Sequence, residues 1–301
     1  MKRRRRIVEL DAQVVARYDD MTYLDHSRSE GNMKKWLCIA ITFFGFGCRT
    51  ADDKSDPKIW NGINVANNDS IALSLVKIGP KGGAGNCTGT LITPKVIVTA
   101  AHCLFGMPYS LDFVARLGTG GPGSHQEIKE SEHAIAHPGF NPDIVDFDQP
   151  DNDIALLIVE DQLPQGYHPI PIIGKNYPIG QQEFGHLKAV IMGYGRTNDL
   201  APANGLLAAQ ATLANITQGG RMLFEQLDSS EGGACPGDSG GPAIIWNNDG
   251  VPFHAGILIF GTCAESGTDM KSTYNDIRFY SDWIVDTLRA HNLELPVFVE
   301  R

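Results

Sequence analysis

The amino-acid sequence predicts an all-β fold, with antiparallel strands closed into barrels and one α-helix near the C-terminal end. Glycine makes up 33 of the 301 residues, and turn-forming residues cut the chain into short apolar runs of strand length. Helical periodicity is poor through most of the chain. It is found at residues 276–291, where Ile277, Tyr280, Ile284 and Leu288 fall at helical spacing. With 42% hydrophobic and 20% charged residues, the composition is that of a globular protein long enough to bury a sizeable core. A net charge of −10 argues against a nucleic-acid partner, because the one strongly basic run, residues 2–6, lies in the leader.

Residues 1–48 read as that leader. An apolar run of 12 residues at 36–47 is too short to span a bilayer comfortably. It follows Met33-Lys-Lys35 and ends in small residues before Cys48, the layout of a signal peptide covering 33–47 or 33–48. Residues 1–32 are then a mis-assigned extension or an unusual prefix. Gly45-Phe-Gly-Cys48 loosely resembles a bacterial lipobox, in which the cysteine carries lipid. Secretion (extracellular or periplasmic) and lipid anchoring at Cys48 both stay open, and Cys48 is the one expected link to a membrane. Residues 49–58 are polar and charged and read as a linker or propeptide, and 59–301 as the folded domain. If Cys38 leaves with the signal and Cys48 is lipidated or lost, four of the six cysteines remain. None stands in a C-x-x-C pair, which argues against a structural zinc site.

Within the domain, residues 71–78 read as a strand, 79–85 as a turn and 88–98 as two further strands. Gly118-Thr-Gly-Gly-Pro-Gly123 matches a dinucleotide-binding glycine pattern, but Pro122 and the lack of a following helix make it a loop. His133 and His137 stand four apart in a strand pattern, without the glutamate of a zinc protease. They are expected to be packing or surface histidines. The aspartate-rich stretch 142–153 lacks the spacing and glycine of a calcium loop and reads as solvated. It leads into an apolar strand at 154–159. A proline-rich connection over 160–186 crosses to a second barrel that starts near Leu187. Residues 255–260 read as its last apolar strand.

The chemistry centres on Cys235-Pro-Gly-Asp-Ser-Gly-Gly-Pro242. A serine hydroxyl is a poor nucleophile until a base takes its proton. Ser239 sits among small residues that let the Gly237 and Ser239 amides face a developing oxyanion. Thr99-Ala-Ala-His-Cys103 offers His102 as the base, and Asp151-Asn-Asp-Ile-Ala-Leu-Leu157 offers Asp153, with Asp151 as the alternative, to orient it. The same residues satisfy G-x-S-x-G, but an α/β-hydrolase needs its acid and histidine after the serine and a helix next to it. Here an apolar strand, 242–246, follows instead.

These three stretches, in the order His, Asp, Ser, resemble the chymotrypsin/trypsin family of serine proteases over roughly 59–288. The resemblance implies two antiparallel six-stranded barrels with a C-terminal helix. It also implies a monomeric, secreted serine endopeptidase, of a bacterial type, acting on polypeptides with neither metal nor organic cofactor. Lys58-Ile-Trp-Asn-Gly62 resembles the family's activation junction. An activating protease would cut after Lys58 and free the Ile59 amine to pair with Asp238. Disulfides Cys87–Cys103 and Cys235–Cys263 match family pairs. The pocket floor falls on Gly233, with Ala234 beside it and Phe260 and Gly261 as walls. Such an uncharged pocket suits apolar side chains, unless Asp269 reaches it. One departure is Ile259, where the family usually has a serine that hydrogen-bonds the catalytic aspartate. That departure supports a second reading, a protease-like binding protein without turnover.

Overall fold

A computed structural model of the chain describes residues 59, 62–66, 69–80, 87–105, 113–117, 126–141, 151–159, 166–196, 205–227, 231–262 and 270–300. The leader with Cys48, the junction residue Lys58, the glycine loop 118–123, Cys263 and Asp269 lie outside these residues. Strand β1 (Ile63–Asn64) pairs with a strand of the second barrel. The first barrel consists of β2 (Leu75–Pro80), β3 (Cys87–Thr93), β4 (Val96–Thr99), β5 (Phe113–Leu117), β6 (Gln126–Ala136) and β7 (Ala155–Val159). It closes in the order β2-β3-β4-β7-β6-β5, every pair antiparallel. Strands β4 and β7 are buried along their whole length, as expected for continuous apolar runs covered on both faces. Inside the barrel, Gly89 makes room for its neighbours. A Cβ there would lie 2.5 Å from Ile78 Cδ1 and 2.6 Å from Ile97 Cγ2.

Residues 71–78 are not one strand. Asp69 Oδ1 accepts from the amides of Ile71 (2.9 Å) and Ala72 (3.2 Å), which winds Ala72–Ser74 into a 3-10 turn before β2 begins. The apolar run hid this turn, because its residues are as buried as strand residues.

After the crossover, which contains the short β8 (Ile172–Ile173), come β9 (Lys188–Gly193), β10 (Leu207–Ile216), β11 (Arg221–Glu225), β12 (Pro242–Trp246), β13 (Pro252–Gly261) and β14 (Lys271–Asp276). Their antiparallel pairings run β9-β10-β11-β14-β13-β12 and return to β9, a second ring of six strands. The two-barrel, chymotrypsin-like expectation is borne out. Strand β13 is not the last one, however. Polar β14 follows it, with Ser272, Thr273, Asn275 and Asp276 buried, so its sequence lacks the apolar signature of a core strand. The expected helix begins as a 3-10 turn, Ile277–Tyr280, and continues as an α-helix, Ser281–Ala290, that buries Ile284 and Leu288. Strand β15 (Phe298–Val299) then runs parallel to β8.

His254, at the centre of β13, is fully buried, and its Nε2 donates to the Gly256 carbonyl at 2.9 Å. Burial pushes its imidazole down to about 3. The unfolded chain therefore takes up a proton at this residue below about pH 6.5 that the folded chain refuses until about pH 3. The stability that a neutral His254 contributes is complete above pH 6.5 and is lost as pH falls through that window. Replacing it with glutamine removes this loss. Denaturant titrations should show the parent's stability falling relative to H254Q by about 1.4 kcal/mol per pH unit between pH 6 and 4. Parallel curves would refute the assignment.

Candidate active site

The His102 side of the site is built at the end of β4. Strand pairing stops at Thr99, and the buried Ala100 and Ala101 turn the chain into a four-residue helical turn, α1 (His102–Phe105). Cys87 at the start of β3 is disulfide-bonded to Cys103, tying that turn down across 16 residues of sequence. By loop closure alone this bond contributes about 3 kcal/mol.

Asp153 arrives from the turn before β7, where Asn152 takes a left-handed conformation (φ 54°) and the Ile154 amide donates back to its carbonyl at 2.8 Å. The carboxylate meets His102 twice. Oδ1 accepts from the His102 backbone amide at 2.8 Å and Oδ2 from ring Nδ1 at 2.6 Å. Since a carboxylate only accepts, Nδ1 carries the proton and Nε2 is the imidazole's basic atom. Asp153 is 7% exposed and His102 35%, so the aspartate is sealed while the imidazole faces outward. Asp151 does not reach His102 in this arrangement. It forms an ion pair with Arg221 instead, at 3.2 Å.

Ser239 lies on a tight turn of the second barrel. Asp238 N–H donates to Cys235 O (3.0 Å), Gly241 N–H to Asp238 O (2.8 Å) and Gly240 N–H to Leu258 O (2.7 Å). The turn is fastened to the first barrel as well. The Thr88 amide donates to the Ser239 carbonyl at 2.8 Å, and the Thr99 hydroxyl donates to the Thr88 carbonyl at 2.8 Å. Cys103 Sγ lies 3.7 Å from the same Ser239 carbonyl oxygen. The nucleophile candidate and the His102 turn are thus brought together through β3 and β4. Gly237 carries φ 101° and packs on Gly195, whose Cα would sit 2.8 Å from a Cβ at Gly237.

Asp238 is 1% exposed, and its oxygens accept from the Gly195 amide (2.7 Å) and the Cys235 amide (2.8 Å). Burial pushes its carboxyl up to about 7 despite these bonds. Gly193 and Gly195 make its niche, since a Cβ at either would lie 2.8 Å or 2.6 Å from Asp238 Cγ. Ile59, its expected partner after cleavage, is buried and held at φ 57°, a left-handed conformation that is strained for a β-branched residue.

Of the expected pocket, Ala234 and Gly261 meet. A Cβ on Gly261 would come 2.5 Å from the Ala234 carbonyl oxygen, and the Ala234 amide donates to Ser272 Oγ at 3.0 Å. Gly233 faces Met270, with its would-be Cβ 2.6 Å from Met270 Cβ and 2.8 Å from Cε. Phe260 is 51% exposed at the rim. Cys235 is disulfide-bonded, while Cys263 lies outside the described residues.

Residues 59–284 match the profile of the family described as Trypsin. The chain belongs to that family. It is 30% identical to Trypsin eta of Drosophila erecta over 275 residues, covering 82% of this chain and 96% of that one. It is 29% identical to a Trypsin of Phaedon cochleariae over 216 residues, 66% of this chain and 77% of that one. Against Transmembrane protease serine 9 of Rattus norvegicus it is 27% identical over 262 residues, 81% of this chain, and spans 23% of that protein's length. These relatives are insect and mammalian. They give no support to the bacterial type, or to the bacterial lipid anchor, expected from the lipobox-like stretch at Cys48. No helix among the described residues is long and apolar enough to cross a membrane.

In this trypsin-family chain His102, Cys87 and Cys103 place three potential metal donors within 4.8 Å of one another. The two sulfurs are bonded together and offer no thiolate, so the donor set does not suit a metal. His137 packs its ring on Tyr280 and Trp283, with centroids 5.8 and 5.0 Å away, and burial lowers its imidazole. Sequence reasoning missed Thr88, Met270, Arg221 and Asn275. None stands in a motif; Thr88, Arg221 and Asn275 are brought to the site by their strands, and Met270 by its place just before β14.

Proposed function

We propose that this chain is a serine endopeptidase that hydrolyses peptide bonds through an acyl-enzyme, secreted as a zymogen and cut after Lys58 by an activating protease. Ser239 Oγ attacks the scissile carbonyl while His102 Nε2 takes its proton and later gives it to the leaving amine. Asp153 holds the imidazole in the required tautomer and stabilises its charged form, and the Gly237 and Ser239 amides receive the oxyanion. Cleavage after Lys58 would turn the Ile59 ammonium toward Asp238. That cation would hold as a carboxylate a group that burial otherwise protonates near neutrality. The observation that carries the reading is the double hydrogen bond between His102 and Asp153 beside the fastened Ser239 turn.

The preferred substrates are polypeptides with an apolar residue before the scissile bond, because Gly233, Ala234 and Met270 bring no charge to the pocket. Peptide amides ending in Phe or Leu should be cleaved at least about 10-fold better, by kcat/KM, than those ending in Lys or Arg. The reverse order would implicate Asp269 as a pocket residue.

The deciding experiment is mass spectrometry of the mature protein after reaction with a fluorophosphonate. Label on Ser239 in a chain starting at Ile59 supports both nucleophile and junction. Label on a chain that keeps residues before Ile59 keeps the protease and removes the zymogen step. A chain starting at Ile59 that takes no label is the protease-like binding protein.

A further inference from the structure

Asp153 is held from behind by three buried side chains that the reaction described above does not use. Arg221 on β11 and Asn275 on β14 are direct cross-strand partners, so their side chains lie side by side on one face of the second barrel. That face meets the 151–153 turn of the first barrel. Asn275 Nδ2 donates to the Asp153 carbonyl at 3.0 Å and lies 3.4 Å from Asp151 Oδ1. Both neighbours are acceptors, which sets the amide this way round. Arg221 pairs with Asp151 Oδ2 at 3.2 Å, and Asp151 Oδ1 accepts from the Asp153 amide at 3.1 Å. The carboxylate of Asp153 belongs to His102, so each polar group of this residue, N–H, C=O and both Oδ, has a fixed partner.

We propose that Arg221, Asp151 and Asn275 are positioning residues that clamp the backbone of Asp153 across the barrel interface. The proposal rests on the acyl-transfer reading above for its consequence in rate. A buried ion pair is a poor source of stability, since well-packed apolar residues of similar volume do as well or better. Arg221 and Asn275 are nonetheless 2% and 0% exposed, and Asp151 8%. What the pair supplies is direction. It fixes the Asp151 side chain, and through it the amide and the facing angle of Asp153. The Asp153 carboxylate takes hydrogen bonds from the amide and the ring of His102, and the clamp fixes the backbone from which it reaches them.

Two variants test this in the activated protein: N275L, and the double variant D151N/R221M, which removes both charges together and leaves no lone buried ion. Rates are normalised to sites titrated by fluorophosphonate, and thermal stability is recorded alongside. In both variants kcat should fall about 10- to 100-fold with KM within twofold. The acid limb of the kcat/KM profile should move to lower pH, because a misaligned carboxylate stabilises the imidazolium less. The downfield proton resonance of the His102 Nδ1–H should shift upfield or broaden. Lower stability with unchanged kcat, pH limb and resonance would make these residues structural and overturn the proposal. The resonance is readable without turnover. If the parent neither labels nor hydrolyses, a shifted resonance upholds the clamp while the protease reading fails, and an unshifted one removes both.

Discussion

Ser239→Ala is expected to lower kcat about 10⁶-fold in the activated protein while leaving its thermal midpoint within about 3 °C. The Oγ atom alone is removed. The bonds that shape the turn run through the backbone, from Thr88 N to Ser239 O and from Gly240 N to Leu258 O, and alanine keeps all of them. The amides proposed to receive the oxyanion are unchanged by this substitution, so a residue of catalysis over water is expected to remain. The measurements are single-turnover hydrolysis of a peptide ester and fluorophosphonate labelling. A variant that still hydrolyses the ester within 10-fold of the parent would remove Ser239 from the mechanism.

Gly240→Ala is expected to damage the site by a different route. The position requires φ 79°, and a Cβ there would run into Thr99 Oγ1 and the Thr88 carbonyl and lie 2.9 Å from the Ala100 amide. Two of these three are backbone atoms that cannot swing aside. Thr88 lies on β3, and Ala100 follows β4 directly and leads into the His102 turn. The chain must either lose at least about 3 kcal/mol of stability or move the Ser239 turn away from the first barrel. A displaced turn reduces labelling and a strained one lowers the denaturation midpoint, so the two measurements together tell which occurs. Full labelling at parental stability would show that the turn is looser than its packing indicates.

The parts of this molecule that were legible in the sequence are those where one residue type has one physical use. Pro242-Ala-Ile-Ile-Trp246 reads as a strand because nothing else suits five such residues after a glycine turn, and it is β12. The His102 and Ser239 stretches name their chemistry because small residues crowd a titratable or nucleophilic one. Buried polar residues were not legible. Lys271–Asp276 looks like a surface segment, yet it is a ring strand, since its hydroxyls and amides find partners only once the barrel has closed. Thr88 is one of many threonines until strand pairing sets its amide against Ser239. Asp151 and Asp153 carry the same side chain two residues apart, and only the left-handed Asn152 between them sends one to His102 and the other to Arg221.

The parallel pairing of β15 with β8 has a practical consequence. Phe298 and Val299 stand opposite Ile172 and Ile173, amides of Ile172 and Gly174 donate to the carbonyls of Val297 and Val299 at 2.9 and 2.8 Å, and the Asn176 amide donates to Glu300 at 3.1 Å. The final segment thus acts as a latch on the strap between the two halves, one carrying His102 and Asp153 and the other Ser239. Removing residues 296–300, or fusing an affinity tag flush against them, would take away these bonds and leave the strap held on its other side by β13, where His254 stands opposite Ile172.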